Sequence, residues 1–407
     1  MRKVFSTPSA SARLPRNERP ERNSHTYLAR TIMNDELRVI ISGGGTGGHI
    51  FPAVSIANAI REKRPDAKIL FVGAEGRMEM QRVPAAGYPI KGLPIVGFNR
   101  KNWLKNIPVL FKIMKSRNMA REILSEFKPQ VAVGVGGYAS GPTLNMAESM
   151  GIPTLLQEQN SYAGVTNKLL AKNARRICVA YDGMERFFPA DKILFTGNPV
   201  RQNLLNTALT KDEAVRRFGL VPGKKTILIV GGSLGARTIN DSILGNLPLV
   251  KQQQKVQFIW QTGKYYSEEI HNELQRRGCP ENLIVTDFIS DMSEAYAAAD
   301  LVISRAGAGS ISEFCLLGKL VILVPSPNVA EDHQTKNALA LVQQNAALYV
   351  TDAEARRILL PQAINTVTDP AKLESLGRNI LQLAKPNAAS DIADEVIKLA
   401  MNQMQKA

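Results

Sequence analysis

Apolar residues along this chain fall into short unbroken runs, separated by longer stretches in which they recur with helical spacing. Runs at 38–42, 68–72, 131–135 and 153–156 predict short buried strands, and 50–63 predicts a helix after the first of them. The pattern then begins again, with predicted strands at 226–230, 256–260, 283–285, 301–304 and 320–324. Apolar runs alternating with helices indicate parallel sheets covered on both faces. The fold expected is therefore α/β, with two Rossmann-like domains facing across a cleft. The segment 195–201, containing Gly197, Asn198 and Pro199, is the expected hinge. Such a cleft, at the carboxyl ends of the strands, is where open α/β folds bind ligands.

Glycines crowd those strand ends. Gly43, Gly44, Gly45, Thr46, Gly47, Gly48 and His49 follow the first strand, and Gly43, Gly45 and Gly48 satisfy a formal G-x-G-x-x-G. Glycine permits positive φ and close backbone approach, and a following helix N-terminus favours an anion. That motif alone also fits a nicotinamide-dependent oxidoreductase, with Glu75 as its ribose-binding acid. Three further clusters change the picture, because a single-cofactor dehydrogenase needs only one such loop. They are 134–142, which includes Tyr138, then 231–236, which includes Ser233, and 304–310. In the last, Arg305, the Gly307 turn and Ser310 predict a pyrophosphate cradle, and Glu313 sits one turn inside the next helix as a candidate ribose acceptor. His49 and Glu158 are the candidate general bases, Asn160 offers an amide to a sugar hydroxyl, and Gln334 is a further sugar-binding candidate.

Composition narrows the class. The chain has 407 residues, 44% hydrophobic and 21% charged, which suits a globular protein of two domains. Its net charge of +15 leaves nucleic acid, anionic lipid and phosphorylated substrates as candidate partners. Part of that charge lies at the start, where Arg2, Lys3, Arg13, Arg16, Arg19, Arg22 and Arg30 face Glu18 and Glu21. Residues 1–34 read as a basic, disordered extension, with Met33 as an alternative start. Three scattered cysteines show no metal-ligand spacing and fit a reducing cytosol. No Asp-x-Asp triplet is present, so no metal and no cofactor is expected. Residues 98–117 place Phe98, Trp103, Leu104, Ile107, Phe111 and Met114 among Arg100, Lys101, Lys105, Lys112, Lys115 and Arg117. An apolar face with a basic rim is what an interfacial segment needs, although a buried helix with a solvated face shows the same pattern. No nucleic-acid recognition module is legible, and none is expected.

Taken in order, these motifs resemble the MurG family, GT-B-fold N-acetylglucosaminyltransferases of peptidoglycan synthesis. The match runs from Leu37 to the C-terminus and rests on Gly43–His49 with Phe51-Pro52-Ala53, Gly136-Gly137-Tyr138, Ser140-Gly141-Pro142, Glu158-Gln159-Asn160, 197–201, 231–233 and 305–313. The resemblance implies inverting transfer from UDP-N-acetylglucosamine to the C4 hydroxyl of muramoyl-pentapeptide on a polyprenyl diphosphate, lipid I. It implies that Thr46, Gly47 and Gly48 line the cleft beside donor or acceptor phosphates. It assigns Asn160, Arg201, Ser233, Ile289, Glu313 and Gln334 to the donor, and leaves open whether His49 or Glu158 activates the acceptor. Its further implications are an N-terminal acceptor and membrane-docking domain at 35–196, a donor domain at 197–370, and a helical segment at 371–407 packing back on the first domain. The location implied is peripheral, on the cytoplasmic face of the bacterial inner membrane, with cell-wall synthesis and division proteins as partners. His333, beside Gln334, departs from the polar residue found in some members.

Overall fold

The computed structural model describes residues 36–96, 107–200, 204 and 209–405. The extension 1–34 and the expected site residues Phe98, Trp103, Leu104 and Arg201 lie outside the described residues.

Two parallel sheets organise the chain. The first has seven strands in the order β3-β2-β1-β4-β5-β6-β7. They are β1 (Arg38–Ser42), β2 (Lys68–Ala74), β3 (Ile90–Leu93), β4 (Val131–Gly134), β5 (Thr154–Glu158), β6 (Arg176–Val179) and β7 (Ile193–Phe195). The second has six strands in the order β10-β9-β8-β11-β12-β13. They are β8 (Lys225–Val230), β9 (Val256–Gln261), β10 (Leu283–Thr286), β11 (Leu301–Ser304), β12 (Leu320–Leu323) and β13 (Leu348–Tyr349). The expected two-domain α/β architecture is what the structure shows, and all nine expected strands are present within two residues of their expected bounds.

Continuous apolar runs are the reason the strands are central: β4 and β12 are buried along their whole length, and β8 along all but its first residue. Each sheet reverses strand order once, between β1 and β4 and between β8 and β11. The paired residues there are Ser42 with Gly134 and Val230 with Ser304. A crevice opens at the carboxyl ends of the strands at such a point.

From Leu37 onward the chain is one compact unit. Its last helix, Ala388–Met404, lays Ala389, Ile392, Ala393, Val396 and Ala400 into the first sheet's core, with Ile56 and Ile60 of the helix Gly47–Lys63. In the segment expected as a hinge, Gly197 has φ +86, and a Cβ there would lie 2.3 Å from Cβ of Lys385. Only glycine lets the returning segment pass that close.

Candidate active site

Both strand reversals carry glycine loops, and the first pair packs backbone on backbone. A Cβ on Gly137 (φ +88) would lie 2.4 Å from the Gly44 carbonyl oxygen, so the loops after β1 and β4 meet only because both residues lack side chains. The Ser140 hydroxyl reaches the Ser42 carbonyl at 2.6 Å and the Gly136 carbonyl at 3.0 Å, which ties the two loops together. Thr46 caps the helix Gly47–Lys63 in an extended conformation, so the amides of Gly47 and Gly48 open that helix. Thr46, Gly48 and Tyr138 are exposed. His49 is half-buried, with Nδ1 3.3 Å from the Thr46 hydroxyl and its ring 3.0 Å from where a Gly136 Cβ would stand. Burial pushes its imidazole below the usual histidine range, opposed by the Gly44 carbonyl and the Glu79 carboxylate and assisted by His333 of the other domain. A neutral imidazole can accept a proton.

Glu158 is arranged differently. It is 2% exposed, and its oxygens accept from the amides of Asn160 (3.1 Å) and Gly164 (2.9 Å) and from the side chains of Asn167 (2.9 Å) and Asn160 (3.3 Å). Burial raises its carboxyl and those donors oppose the rise. In this arrangement Glu158 organises the loop 158–164, and its oxygens point at that loop's own amides.

In the second domain, Ser233 is exposed on the loop after β8. That loop is shaped by Gly235 (φ +87), where a Cβ would lie 2.1 Å from the Thr262 carbonyl oxygen. A cleft of about 470 Å³ gathers Gly231, Gly232, Ser310 and Gln334. Gln334 accepts the Ser326 amide at 2.9 Å, leaving its amide nitrogen for a ligand. Ser310 lies in the first turn of the helix Ala308–Leu317, whose N-terminal amides favour a phosphate. Glu313 is further along that helix, 7% exposed, and accepts the Tyr296 hydroxyl at 2.9 Å. Ile289 is buried in the loop after β10.

Arg305 lines the same cleft, and one of its guanidinium nitrogens bonds the carbonyls of Val324 (3.0 Å) and Pro325 (3.1 Å) and pairs with Asp352 at 2.5 Å. One expectation changes. Glu75, the ribose acid of a dehydrogenase reading, is exposed; the acid turned inward after β2 is Glu79.

Three further residues join the two domains. Asn337, fully buried, accepts the Ser161 amide (2.9 Å) and hydroxyl (3.1 Å) and donates to Asn160 Oδ1 (3.1 Å). Asn198 accepts from Gln157 (2.9 Å) and donates to the Gln159 carbonyl (3.0 Å) and Ser312 hydroxyl (3.1 Å). Tyr162 lies under the Lys336 ammonium, 3.4 Å from its ring centre. Cys178 and Cys315 are buried with thiols pushed up to about 12, which makes neither a nucleophile.

At the basic, apolar segment, Ile107 opens the helix Ile107–Phe127. Phe111 and Met114, three residues apart, are 71% and 66% exposed, beside exposed Lys112, Lys115 and Arg117. Arg117 shares a surface depression with Lys172, Arg175 and Lys192. Among the described residues no helix is long and apolar enough to cross a membrane.

Comparison with known proteins agrees with this layout. The model of the glycosyltransferase family 28 N-terminal domain matches residues 39–179, and that of the C-terminal domain matches 226–396. A Bacteroides fragilis protein named UDP-N-acetylglucosamine--N-acetylmuramyl-(pentapeptide) pyrophosphoryl-undecaprenol N-acetylglucosamine transferase is 69% identical over 366 residues, 90% of this chain and 96% of that one. A Porphyromonas gingivalis protein of the same name is 54% identical, covering 91% of this chain and 97% of its own. The crystal structure of Acinetobacter baumannii MurG superposes with a TM-score of 0.71 at 30% identity, over 89% of this chain and 99% of that one. A Neisseria meningitidis UDP-GlcNAc 2-epimerase, 17% identical with a TM-score of 0.62 over 89% of this chain and all of that one, shares the fold alone. With both domain models matched in order and relatives of this identity over nine-tenths of the chain, the protein belongs to glycosyltransferase family 28, among the MurG-type N-acetylglucosamine transferases.

Proposed function

We propose that this protein transfers N-acetylglucosamine from UDP-N-acetylglucosamine to the C4 hydroxyl of the muramoyl-pentapeptide of lipid I, with inversion, giving lipid II. The observation that carries the reading is the placement of family motifs on both strand reversals. Gly231, Gly232, Ser310 and Gln334 share one cleft in the second domain, and His49 belongs to the first, close enough to feel His333 of the second. Direct displacement at the anomeric carbon leaves negative charge on the departing UDP. Amides at the start of the helix Ala308–Leu317, with the Ser233 loop, stabilise that charge as it forms, with Arg201 as a cationic partner. Glu313 holds the ribose, the Ile289 backbone the uracil, and Asn160 with Gln334 the sugar. Of the two candidate bases, His49 is half-buried with an imidazole kept neutral, whereas the Glu158 oxygens are occupied by four N–H donors. We therefore assign proton removal from the acceptor hydroxyl to His49 and loop support to Glu158.

The acceptor's lipid stays in a bilayer, so the enzyme must come to it. Phe111 and Met114, exposed on one helix face amid lysines, support docking on an anionic surface, here the cytoplasmic face of the inner membrane. Release of UDP measured with and without lipid I tests the central reading. Release that requires lipid I is expected; equal release without it would instead indicate epimerase-like or hydrolytic turnover.

A further inference from the structure

Glu79 has no role in the mechanism above, yet it is among the most enclosed charges in the first domain. It opens the short helix Glu79–Ala85 after β2 and is 1% exposed. One carboxylate oxygen accepts the Ala74 amide at 3.0 Å, and the other crosses to the Gly45 amide at 2.8 Å. The backbone is cut to receive it: a Cβ on Gly44 would lie 2.3 Å from its Cδ, and a Cβ on Gly73 would lie 2.6 Å from its Cγ. Gly44 and Gly45 have φ of +150 and +89, so the loop adopts a shape that side chains disfavour, held from beneath by a carboxylate. This also sets what the loop can bind. The Gly45 amide points inward to an anion, so the phosphate-facing donors after β1 are limited to the helix-opening amides beyond it.

We propose that Glu79 is a positioning residue for the transfer reaction: it fixes Gly44 and Gly45, and through them places His49 at the cleft. The inference rests on His49 being the group that takes the acceptor proton. Three connections link the residues. The Gly44 backbone beside the ring and the Glu79 charge both favour the imidazolium, and the Thr46 hydroxyl lies 3.3 Å from Nδ1. The charged or titratable groups facing His49 are Glu79 from below and His333 from the second domain, which act in opposite directions. Buried and held by backbone amides, the Glu79 carboxylate is poorly screened by solvent. When His49 takes the proton of the attacking hydroxyl, the developing imidazolium is therefore stabilised by a fixed anion on the side away from the substrate.

Glu79→Gln preserves the shape and one acceptor oxygen but removes the charge; Glu79→Asp keeps the charge but withdraws it from Gly45. The measurements are steady-state kinetics against pH and titration of the His49 ring by 15N-edited NMR, assigned with His49→Gln. For Glu79→Gln we expect a lower kcat, by up to roughly a hundredfold, the lower end of what a positioned general base contributes. The KM for UDP-N-acetylglucosamine should stay near wild type, and the His49 titration should move to lower pH. For Glu79→Asp, kcat should fall with a titration close to wild type. An unmoved His49 titration together with wild-type kcat in Glu79→Gln overturns the proposal. A His49 titration that moves while the pH–rate profile does not would keep Glu79's placement and remove His49 as the base, separating the two claims. Should Glu79→Gln fail to fold, Glu79→Asp carries the test, and wild-type kcat there overturns the proposal.

Discussion

Individual side chains here are assigned by what already occupies their atoms. His49 is lowered by burial, so it is neutral above a pH somewhat below the ordinary 6.5 and protonated below it. If it takes the acceptor's proton, kcat/KM rises with pH through that lowered value and levels off before neutrality, which a pH–rate profile with saturating donor will show. Glu158, with four donors on its carboxylate, is a poor base, and Glu158→Gln should retain more activity than His49→Gln. Glu313 is nearly enclosed and engaged by Tyr296, so Glu313→Ala removes a charged hydrogen-bond acceptor from the donor side. We expect a loss of about 1.5–3 kcal/mol in donor binding, read as a raised KM for UDP-N-acetylglucosamine with the lipid I KM unchanged. His49 and Glu313 were singled out from their places in or beside glycine-rich loops, and Gln334 from its place ahead of a helix. Glu79 and Asn337 were not, because a buried acid or amide is recognisable only by the backbone groups folded around it. Arg305 was legible as a cation beside a glycine turn, but its pairing with Asp352, far along the chain, was not.

Among the elements, central strands were easy to read and peripheral ones were not. β1, β4, β8 and β11 are apolar runs buried on both faces, and periodicity finds them readily. β3, β7 and β13 lie at sheet edges, are two to four residues long and only partly buried, and their sequences lack that signal. β6 is buried but only four residues long, with Arg176 at its start. Loop shape depends on close backbone contact at the first reversal. Gly137→Ala places a methyl group 2.4 Å from the Gly44 carbonyl at a φ of +88. It should destabilise the protein by more than the ~1 kcal/mol of an ordinary left-handed alanine and depress activity more than stability, since the displaced loop carries His49. Thermal melts beside activity assays check both.

At the scale of the whole molecule, two sheets make one enzyme only where they are joined. Asn337 links the loop 160–161 to the helix His333–Val342, which also bears Gln334. Asn337→Leu strands the buried Ser161 amide and the Asn160 side-chain oxygen, at about 1–3 kcal/mol for each group left unpaired. We expect a lower melting temperature, and a fall in kcat exceeding that in Gln334→Ala, because both domains lose their mutual reference. The proposed attachment to the bilayer belongs to this scale too. Phe111→Ser with Met114→Ser should weaken sedimentation with anionic vesicles while transfer to a water-soluble lipid I analogue continues; unchanged sedimentation would move the docking surface elsewhere.

The account's central claim is tested most directly by incubating the protein with UDP-N-acetylglucosamine labelled in the sugar, lipid I and EDTA, and isolating the lipid fraction. It predicts label in a lipid-linked disaccharide, formed only when lipid I is present and joined to the C4 hydroxyl in the β configuration. Label that stays in the aqueous phase as free or epimerised sugar, at equal rates with and without lipid I, would contradict it.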